Sequence, residues 1–523
     1  MTRRSDDIEP SNDPTKASDA GTPLDPAYLD DFGDETSSEA LELGALTKTI
    51  TPSEAPTSNA MGERTGSRAR RPAPEDPAVK ERAREVDKNI IARNPEHIIE
   101  PTLDRIRHVM NLLGDPQQAM PTIHITGTNG KTTTARMIER LLRELGLRTG
   151  RFTSPHLHDI RERIVLSGEP ISTQRFLDAY EDIVPFVEMA DAASQEQGGP
   201  RLSFFEVLVA MAYAAFADAP VEAGVIEVGM GGTWDATNVI NATVAVFGPI
   251  SMDHERYLGS DIVEIAREKA GIIKAGSIVI SAEQDPAVKE ILTEAANAVD
   301  APIIFMEENI GVVAREVAVG GQMVTLRGLA GIYPDIFIPL FGMHQAHNAA
   351  IALAAVEAFI GGGQEQLALE VVQAAFADVT SPGRAELVRR SPAVLVDGAH
   401  NPAAVASLVA TLEDSFMFTH TVGLLAVLAD KDAEAMLEQL QPIFDEIVIS
   451  QTTSPRRRSA EELGALAVEI FGENRVRIEP HLPTALDTAV ELADAAGMGA
   501  GVVATGSVFT AGEVRLLLGA TDA

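Results

Sequence analysis

The 523-residue chain contains no cysteine. Disulfides, thiolate metal sites and cysteine nucleophiles are therefore excluded, and a reducing compartment fits this usage. Aromatic side chains are scarce, at 5% of residues with a single tryptophan. Basic residues are also few: 42 Lys and Arg stand against 77 Asp and Glu, a formal net charge of −35. A surface of that sign repels phosphate backbones and anionic bilayers, so neither nucleic acid nor membrane is an expected partner. No run approaches the ~18 uninterrupted apolar residues of a membrane span, and the N-terminus lacks a charged-then-apolar leader pattern. A cytoplasmic monomer is the expectation.

The residues that are present divide the chain in three. Residues 1–78 are rich in Ser, Thr, Asp, Glu and Pro. Such a stretch buries too little apolar surface to offset its ordering entropy, so it reads as a disordered acidic tail. Its one amphipathic patch, Leu41 to Ile50, is too short to change that reading. Residues 79–379 then alternate helical and buried-strand patterns, which predicts a parallel sheet covered by helices. Strands are expected at 121–125, 149–153, 223–229, 243–247 and 277–281. Residues 303–340, with alternating apolar positions and Gly-rich turns, predict a small antiparallel insertion. After a linker at Thr380–Arg384 the alternation restarts, and residues 380–523 read as a second, smaller Rossmann-like α/β domain. The fold class is therefore α/β: a phosphate-loop parallel-sheet domain with an antiparallel insertion, plus that second domain.

The most informative stretch is His124-Ile125-Thr126-Gly127-Thr128-Asn129-Gly130-Lys131-Thr132. An apolar strand, a glycine turn, Lys-Thr and a helical pattern form a recipe for holding polyphosphate. Glycines let backbone N–H groups point inward, the helix N-terminus adds partial positive charge, Lys131 reaches outer phosphates, and the Thr132 hydroxyl can ligate Mg2+. The commoner spacing would place glycine at 125, where this chain has Ile125, so the loop is a shorter form. A plain βα turn that happens to carry Gly-Lys-Thr is the bland alternative.

Glu227 ends an apolar strand, where open α/β sheets place ligands, and can hold the Mg2+ of a nucleotide. His254, in Met252-Asp253-His254, can ligate a second divalent ion or hydrogen-bond a substrate; a lone histidine is more often structural. Lys269 reads as a solvated helix charge, although its apolar flanks allow partial burial. Asp397 and His400 flank a tight turn in the second domain, and either face a cleft between domains or cap the next helix.

The ordered motifs Ser154-Pro155-His156-Leu157, Glu227-Val228-Gly229-Met230-Gly231-Gly232, Asp235-Ala236-Thr237-Asn238, Asp253-His254, Glu268-Lys269-Ala270-Gly271-Ile272, Ser381-Pro382-Gly383-Arg384 and Asp397-Gly398-Ala399-His400-Asn401-Pro402, taken with the phosphate loop, resemble the folylpolyglutamate synthase / dihydrofolate synthase family within the Mur-ligase superfamily. The likeness covers about residues 85–520. It implies an ATP-dependent ligase that forms an amide between L-glutamate and the carboxylate of dihydropteroate or a folate through an acyl phosphate. ATP and Mg2+ at two sites are the implied cofactors, with a monovalent cation such as K+ a further candidate. By motif, Gly127, Thr128, Asn129, Gly130, Lys131 and Thr132 hold phosphates, and Asn348, Arg384 and Asp397 contact nucleotide. Thr132, Ser154 and Glu227 match one metal site and His254 a second. Lys269 matches a lysine carried as a carbamate in relatives, and His400 faces the γ-phosphate or glutamate region. Ile99, Glu100, Pro101, Phe204, Phe205, Glu206, Thr233, Trp234 and Asp235 match pterin-binding stretches, with Thr233 standing where many relatives have arginine. Ala429-Asp430-Lys431-Asp432 keeps the family's Asp-Lys-Asp run. A Mur-type UDP-muramoyl amino-acid ligase and a nucleotide-hydrolysing regulator are the alternatives. Amino-acid-independent ATPase turnover would mark the latter.

Overall fold

The computed structural model describes residues 76–93, 102–306 and 308–520. The tail expectation up to residue 75, and the candidates Ile99, Glu100 and Pro101, lie outside these. The described residues open on helix Pro77–Ile91, capped by Asp76. Proline at the first helical turn loses no hydrogen bond there, since that N–H has no intrahelical partner.

The first domain carries strands β1 (Thr122–Thr126), β2 (Thr149–Phe152), β3 (Ile164–Leu166), β4 (Glu169–Pro170), β5 (Ala223–Glu227), β6 (Val244–Phe247), β7 (Ile278–Ser281) and β8 (Ile303–Phe305). They form one sheet in the order β4-β3-β2-β5-β1-β6-β7-β8. From β2 to β8 neighbouring strands run parallel, while β3 and β4 extend the edge antiparallel. Strands β9 (Gly311–Ala318), β10 (Gly321–Arg327) and β11 (Ile332–Ile338) make a separate antiparallel sheet. The insertion therefore begins at Gly311 rather than at 303. Ile303-Ile304-Phe305 is a continuous apolar run, as a strand covered on both faces requires, not an alternating one.

In the second domain, β12 (Glu386–Arg390), β13 (Ala393–Val396), β14 (His420–Leu425), β15 (Glu446–Gln451), β16 (Val476–His481) and β17 (Ala500–Thr505) take the order β12-β13-β17-β14-β15-β16. All pairs are parallel except β12 with β13. Strands β3, β4, β12 and β16 are not marked by the sequence pattern. Each lies at or next to a sheet edge: charge blunts further pairing and hides the strand signal in β12 and β16, through Arg389, Arg390 and Arg477, while β3 and β4 span only three and two residues.

Packing explains why the central strands are legible. All five residues of β1 are buried. Ile123 and Ile125 pack with Met137, Ile138, Leu141 and Leu142 of helix Lys131–Glu144, and with helix Met343–Gly361. Each such fully buried side chain contributes about 1.5–3 kcal/mol. The opposite face holds Phe152 and Ile226 against helices Thr173–Glu196 and Phe204–Asp218. Strand order reverses around β1: the chain builds β2 and β5 on one side and β6 to β8 on the other. In open α/β sheets this reversal opens a crevice at the carboxyl ends of the strands.

Candidate active site

The loop after β1 lies in that crevice. Gly127 has φ 147° and Gly130 φ 81°. A Cβ on Gly127 would sit 2.9 Å from the Gly248 backbone, and one on Gly130 2.7 Å from Asn348 Oδ1. Only glycine meets both demands. Gly130 precedes helix Lys131–Glu144, whose N-terminus has no side-chain cap, so its N–H groups remain for an anion. Lys131 Nζ donates to the carbonyls of Gly127 and Thr128, each at 3.0 Å. Burial pushes its pKa down, against the pull of Glu227 and Asp253.

Glu227, only 1% exposed at the end of β5, is the acidic centre of this wall. Thr132 Oγ1 donates to its two oxygens at 2.9 and 3.0 Å, and the Ser154 N–H donates at 3.2 Å. Burial raises its pKa, while Lys131, Thr132, Ser154 and Arg384 oppose the rise. His254 adopts φ 54°, a left-handed conformation uncommon outside glycine and typical of constrained sites. Its backbone N–H donates to Asp253 Oδ1 at 2.8 Å. Desolvation takes its pKa down to about 3, so the ring is a neutral base. Lys269 is buried, not solvated: it is 4% exposed and donates to Gly127 O at 3.0 Å from behind the loop. Burial, aided by Lys131, pushes its ammonium down to about 7.

The second domain supplies the facing wall. Ala385 takes φ 44° beside Arg384. Its N–H donates to Asp397 Oδ2 at 2.8 Å, and Ala399 N–H donates to Oδ1 at 2.8 Å. Two backbone bonds thus hold the buried carboxylate just past β13, with Arg384 opposing the upward shift that burial imposes on its pKa. His400 Nδ1 donates to Gly398 O at 2.9 Å, leaving Nε2 toward Asp253, 3.7 Å away. Burial lowers its pKa to about 4. Asp253 also accepts from Lys431 Nζ at 2.5 Å and from Asn401 Nδ2 at 2.9 Å. Burial alone would raise its pKa, but His254, Lys431 and His400 hold it well below the usual carboxylate range.

One cavity of about 1420 Å³ joins the two walls. Of the sequence candidates, Thr128, Asn129, Gly130, Lys131, Thr132, Ser154, Phe205, Glu206, Glu227, Trp234, Asp235, His254, Asn348, Arg384, Asp397 and His400 line it. Gly127, Phe204, Thr233 and Lys269 are not in its lining. Phe204 is buried under Arg163, 5.1 Å from its ring centroid. Thr233 Oγ1 instead donates to Glu268 O at 2.9 Å. Glu206 is held by a capping box with Ser203 and by Arg105 at 3.2 Å. Asp235 accepts from Met230 N–H and Thr237 N–H at 2.9 Å and from Thr237 Oγ1 at 2.5 Å, and burial raises its pKa to about 6. Asn401 and Lys431 also line the cavity. In the sequence each stands within a motif without a site role of its own. Their only local signal was Asn-Pro before a helix and a lone lysine between aspartates.

No group of three or more His, Cys, Asp or Glu residues suited to a metal occurs among the described residues. The oxygen set Thr132, Ser154 and Glu227 still fits Mg2+, which keeps several waters and substrate phosphates and takes only one or two protein carboxylates. Ser251 Oγ, buried in the cavity wall with no partner, is a further oxygen there.

A phosphate loop facing a second parallel-sheet domain across one cavity defines a Mur-type ligase. Residues 199–356 match the Mur ligase middle domain, and residues 383–508 match the Mur ligase glutamate ligase domain. The chain is 49% identical to the dihydrofolate synthase/folylpolyglutamate synthase of Mycobacterium tuberculosis over 447 residues, 82% of this chain and 92% of that one. It is 32% identical to the Bacillus subtilis protein of the same name, over 70% of this chain and 84% of that one. The solved M. tuberculosis folylpolyglutamate synthase complexed with ADP and AMPPCP superposes with a TM-score of 0.81 at 48% identity, over 85% of this chain and 99% of that one. An FPGS–AMPPCP–folate complex superposes with a TM-score of 0.70 at 29% identity, over 83% and 99% of the two chains. The chain belongs to the dihydrofolate synthase/folylpolyglutamate synthase family.

Proposed function

We propose that the protein is an ATP-dependent ligase joining L-glutamate to a pterin carboxylate: that of dihydropteroate, of a folate, or of both. A carboxylate is a poor electrophile until one oxygen becomes a leaving group. Attack of that oxygen on the γ-phosphorus of ATP breaks the phosphoanhydride bond, giving an acyl phosphate and ADP. The glutamate amine then adds to the carbonyl, loses a proton, and phosphate departs to leave the amide. Positioning and charge neutralisation dominate such a transfer. In this reading the Gly127–Gly130 backbone and Lys131 hold the phosphates. Asn348, Arg384 and Asp397 hold the nucleotide from the far wall. Phe205, Glu206, Trp234 and Asp235 line the pterin side, and His400 faces the γ-phosphate or glutamate.

Thr132, Ser154 and Glu227 would hold one Mg2+ and His254 a second; the ion neutralises phosphate charge and orients the transferring group. A carbamate formed from Lys269 and CO2 would exchange a buried ammonium for an anion, and an ammonium lowered to about 7 supplies free amine for that step. A monovalent cation such as K+ is a further candidate cofactor. A cytoplasmic monomer remains the expectation; no helix among the described residues is long and apolar enough to cross a membrane.

What carries the reading is that Lys131, Thr132 and Glu227 share one cavity with Arg384, Asp397 and His400 of the second domain. The test is ADP release with ATP and glutamate, offering dihydropteroate and tetrahydrofolate separately. Turnover that requires either pterin and glutamate supports the reading. Turnover independent of both would overturn it, and the pterin that works sets the substrate.

A further inference from the structure

Asn401 is 2% exposed and caps helix Pro402–Ser415, its Oδ1 accepting from Ala404 N–H at 2.8 Å. A helix cap needs only that oxygen. The rest of the amide faces the first domain. Its Oδ1 also accepts from Asn129 Nδ2 at 3.2 Å, while its Nδ2 donates to Asn129 Oδ1 at 3.2 Å and to Asp253 Oδ2 at 2.9 Å. One side chain thus ties the phosphate loop, the loop after β6 and the first helix of the second domain together. The two first-domain loops are themselves stitched, since Thr128 Oγ1 donates to Ser251 O and accepts from Ser251 N–H, both at 2.9 Å. Asp253's other oxygen takes Lys431. That lysine's loop is pinned by Arg458, which donates to Ala429 O at 3.2 Å and Lys431 O at 3.1 Å.

We propose that Asn401 is a positioning residue that couples the phosphate loop to the docking of the second domain, so that Arg384, Asp397, His400 and Lys431 meet the loop in one register. The proposal rests on the ligase reading of this site. A bare helix cap would be served equally by serine, which caps as well as asparagine but has no second arm to reach Asn129 and Asp253. Aspartate keeps the cap and the shape but turns a donor into an anion facing the Asp253 carboxylate.

The test compares the full chain with Asn401→Ser, Asn401→Asp and the double variant Asn401→Asp with Asp253→Asn. The readouts are melting temperature, AMPPCP affinity, kcat and KM, and an interdomain distance. The chain has no native cysteine, so spin labels on Arg175→Cys and Glu469→Cys, both at exposed positions, report that distance without background. In Asn401→Ser, kcat is expected to fall about tenfold or more, from the loss of the three cross-domain hydrogen bonds. Melting temperature, AMPPCP affinity and KM for ATP should be little changed, and the distance distribution should broaden. Asn401→Asp should fall further, and the double variant should recover part of that loss as donor and acceptor face each other again. A kcat within twofold of wild type in Asn401→Ser with an unchanged distance distribution overturns the proposal. So does a loss explained wholly by melting or by weaker AMPPCP binding. A wild type that releases no pterin-dependent ADP overturns the ligase reading instead, and the distance measurement then decides the coupling on its own.

Discussion

Replacing Glu227 with glutamine separates what this carboxylate does for the fold from what it does for the reaction. The side chain is 1% exposed, with burial raising its pKa from 4.5 despite bonds from Thr132 and the Ser154 N–H. A raised carboxylate pKa means the folded state prefers the protonated form. Stability is then lost as pH rises from 4.5 through the raised value, and the charged form is the less stable one above it. Glutamine removes that penalty while keeping the shape, and its amide can still pair with the Thr132 hydroxyl. Glu227→Gln should therefore unfold at pH 7.5 with stability equal to wild type or about 1 kcal/mol greater, a difference that vanishes below pH 4.5. For the reaction the sign reverses. Removing the carboxylate charge weakens the hold on the proposed divalent ion; even two unit charges about 4 Å apart at an effective dielectric of about 20 attract by about 4 kcal/mol, so turnover should fall by at least roughly a thousandfold. ADP release titrated against Mg2+ in both proteins, with urea unfolding at pH 4 and 7.5, reads both halves. More than a tenth of wild-type turnover at saturating Mg2+ would refute the assignment of Glu227 to the cation. A variant clearly less stable at pH 7.5 would refute the account of its burial.

Lys131→Ala should abolish measurable ADP release and leave the cooperative unfolding transition in place; substantial residual turnover would mean the loop is not the phosphate site. Gly130→Ala places a Cβ 2.7 Å from Asn348 Oδ1 at φ 81°, and should lose about 1–3 kcal/mol of stability together with AMPPCP affinity, both read by melting curves with and without the analogue. His124 is fully buried in β1 with its pKa lowered to about 3, first by burial and then by Lys274. The unfolded chain takes up that proton below about pH 6.5 and the folded chain does not, so stability should fall on acidification toward pH 3 by on the order of 4 kcal/mol from this residue. His124→Gln should show a shallower loss of stability over the same range in urea unfolding; an unchanged slope would show the ring titrating normally.

The central strands and the phosphate loop were legible in the sequence for one physical reason: each writes its requirement locally. Val225-Ile226 must be apolar because both faces of β5 are covered, and Gly127 and Gly130 must be glycine because neighbours stand where a Cβ would go. Lys269 shows the opposite case. Its local stretch reads as a helix surface, and only the fold turns it inward to the Gly127 carbonyl. Phe204 and Thr233 sit in stretches that border the cavity, yet backbone geometry directs each away from it. Asn401 goes further still. Locally it is an ordinary cap before proline, and its second role arises solely because a residue 272 positions earlier presents a matching amide. A pairing of that separation leaves no periodicity and no turn signal in either segment. Such residues decide whether two half-sites become one. Single-segment patterns therefore locate the chemistry on each wall, while the alignment of the walls is written only in contacts between them.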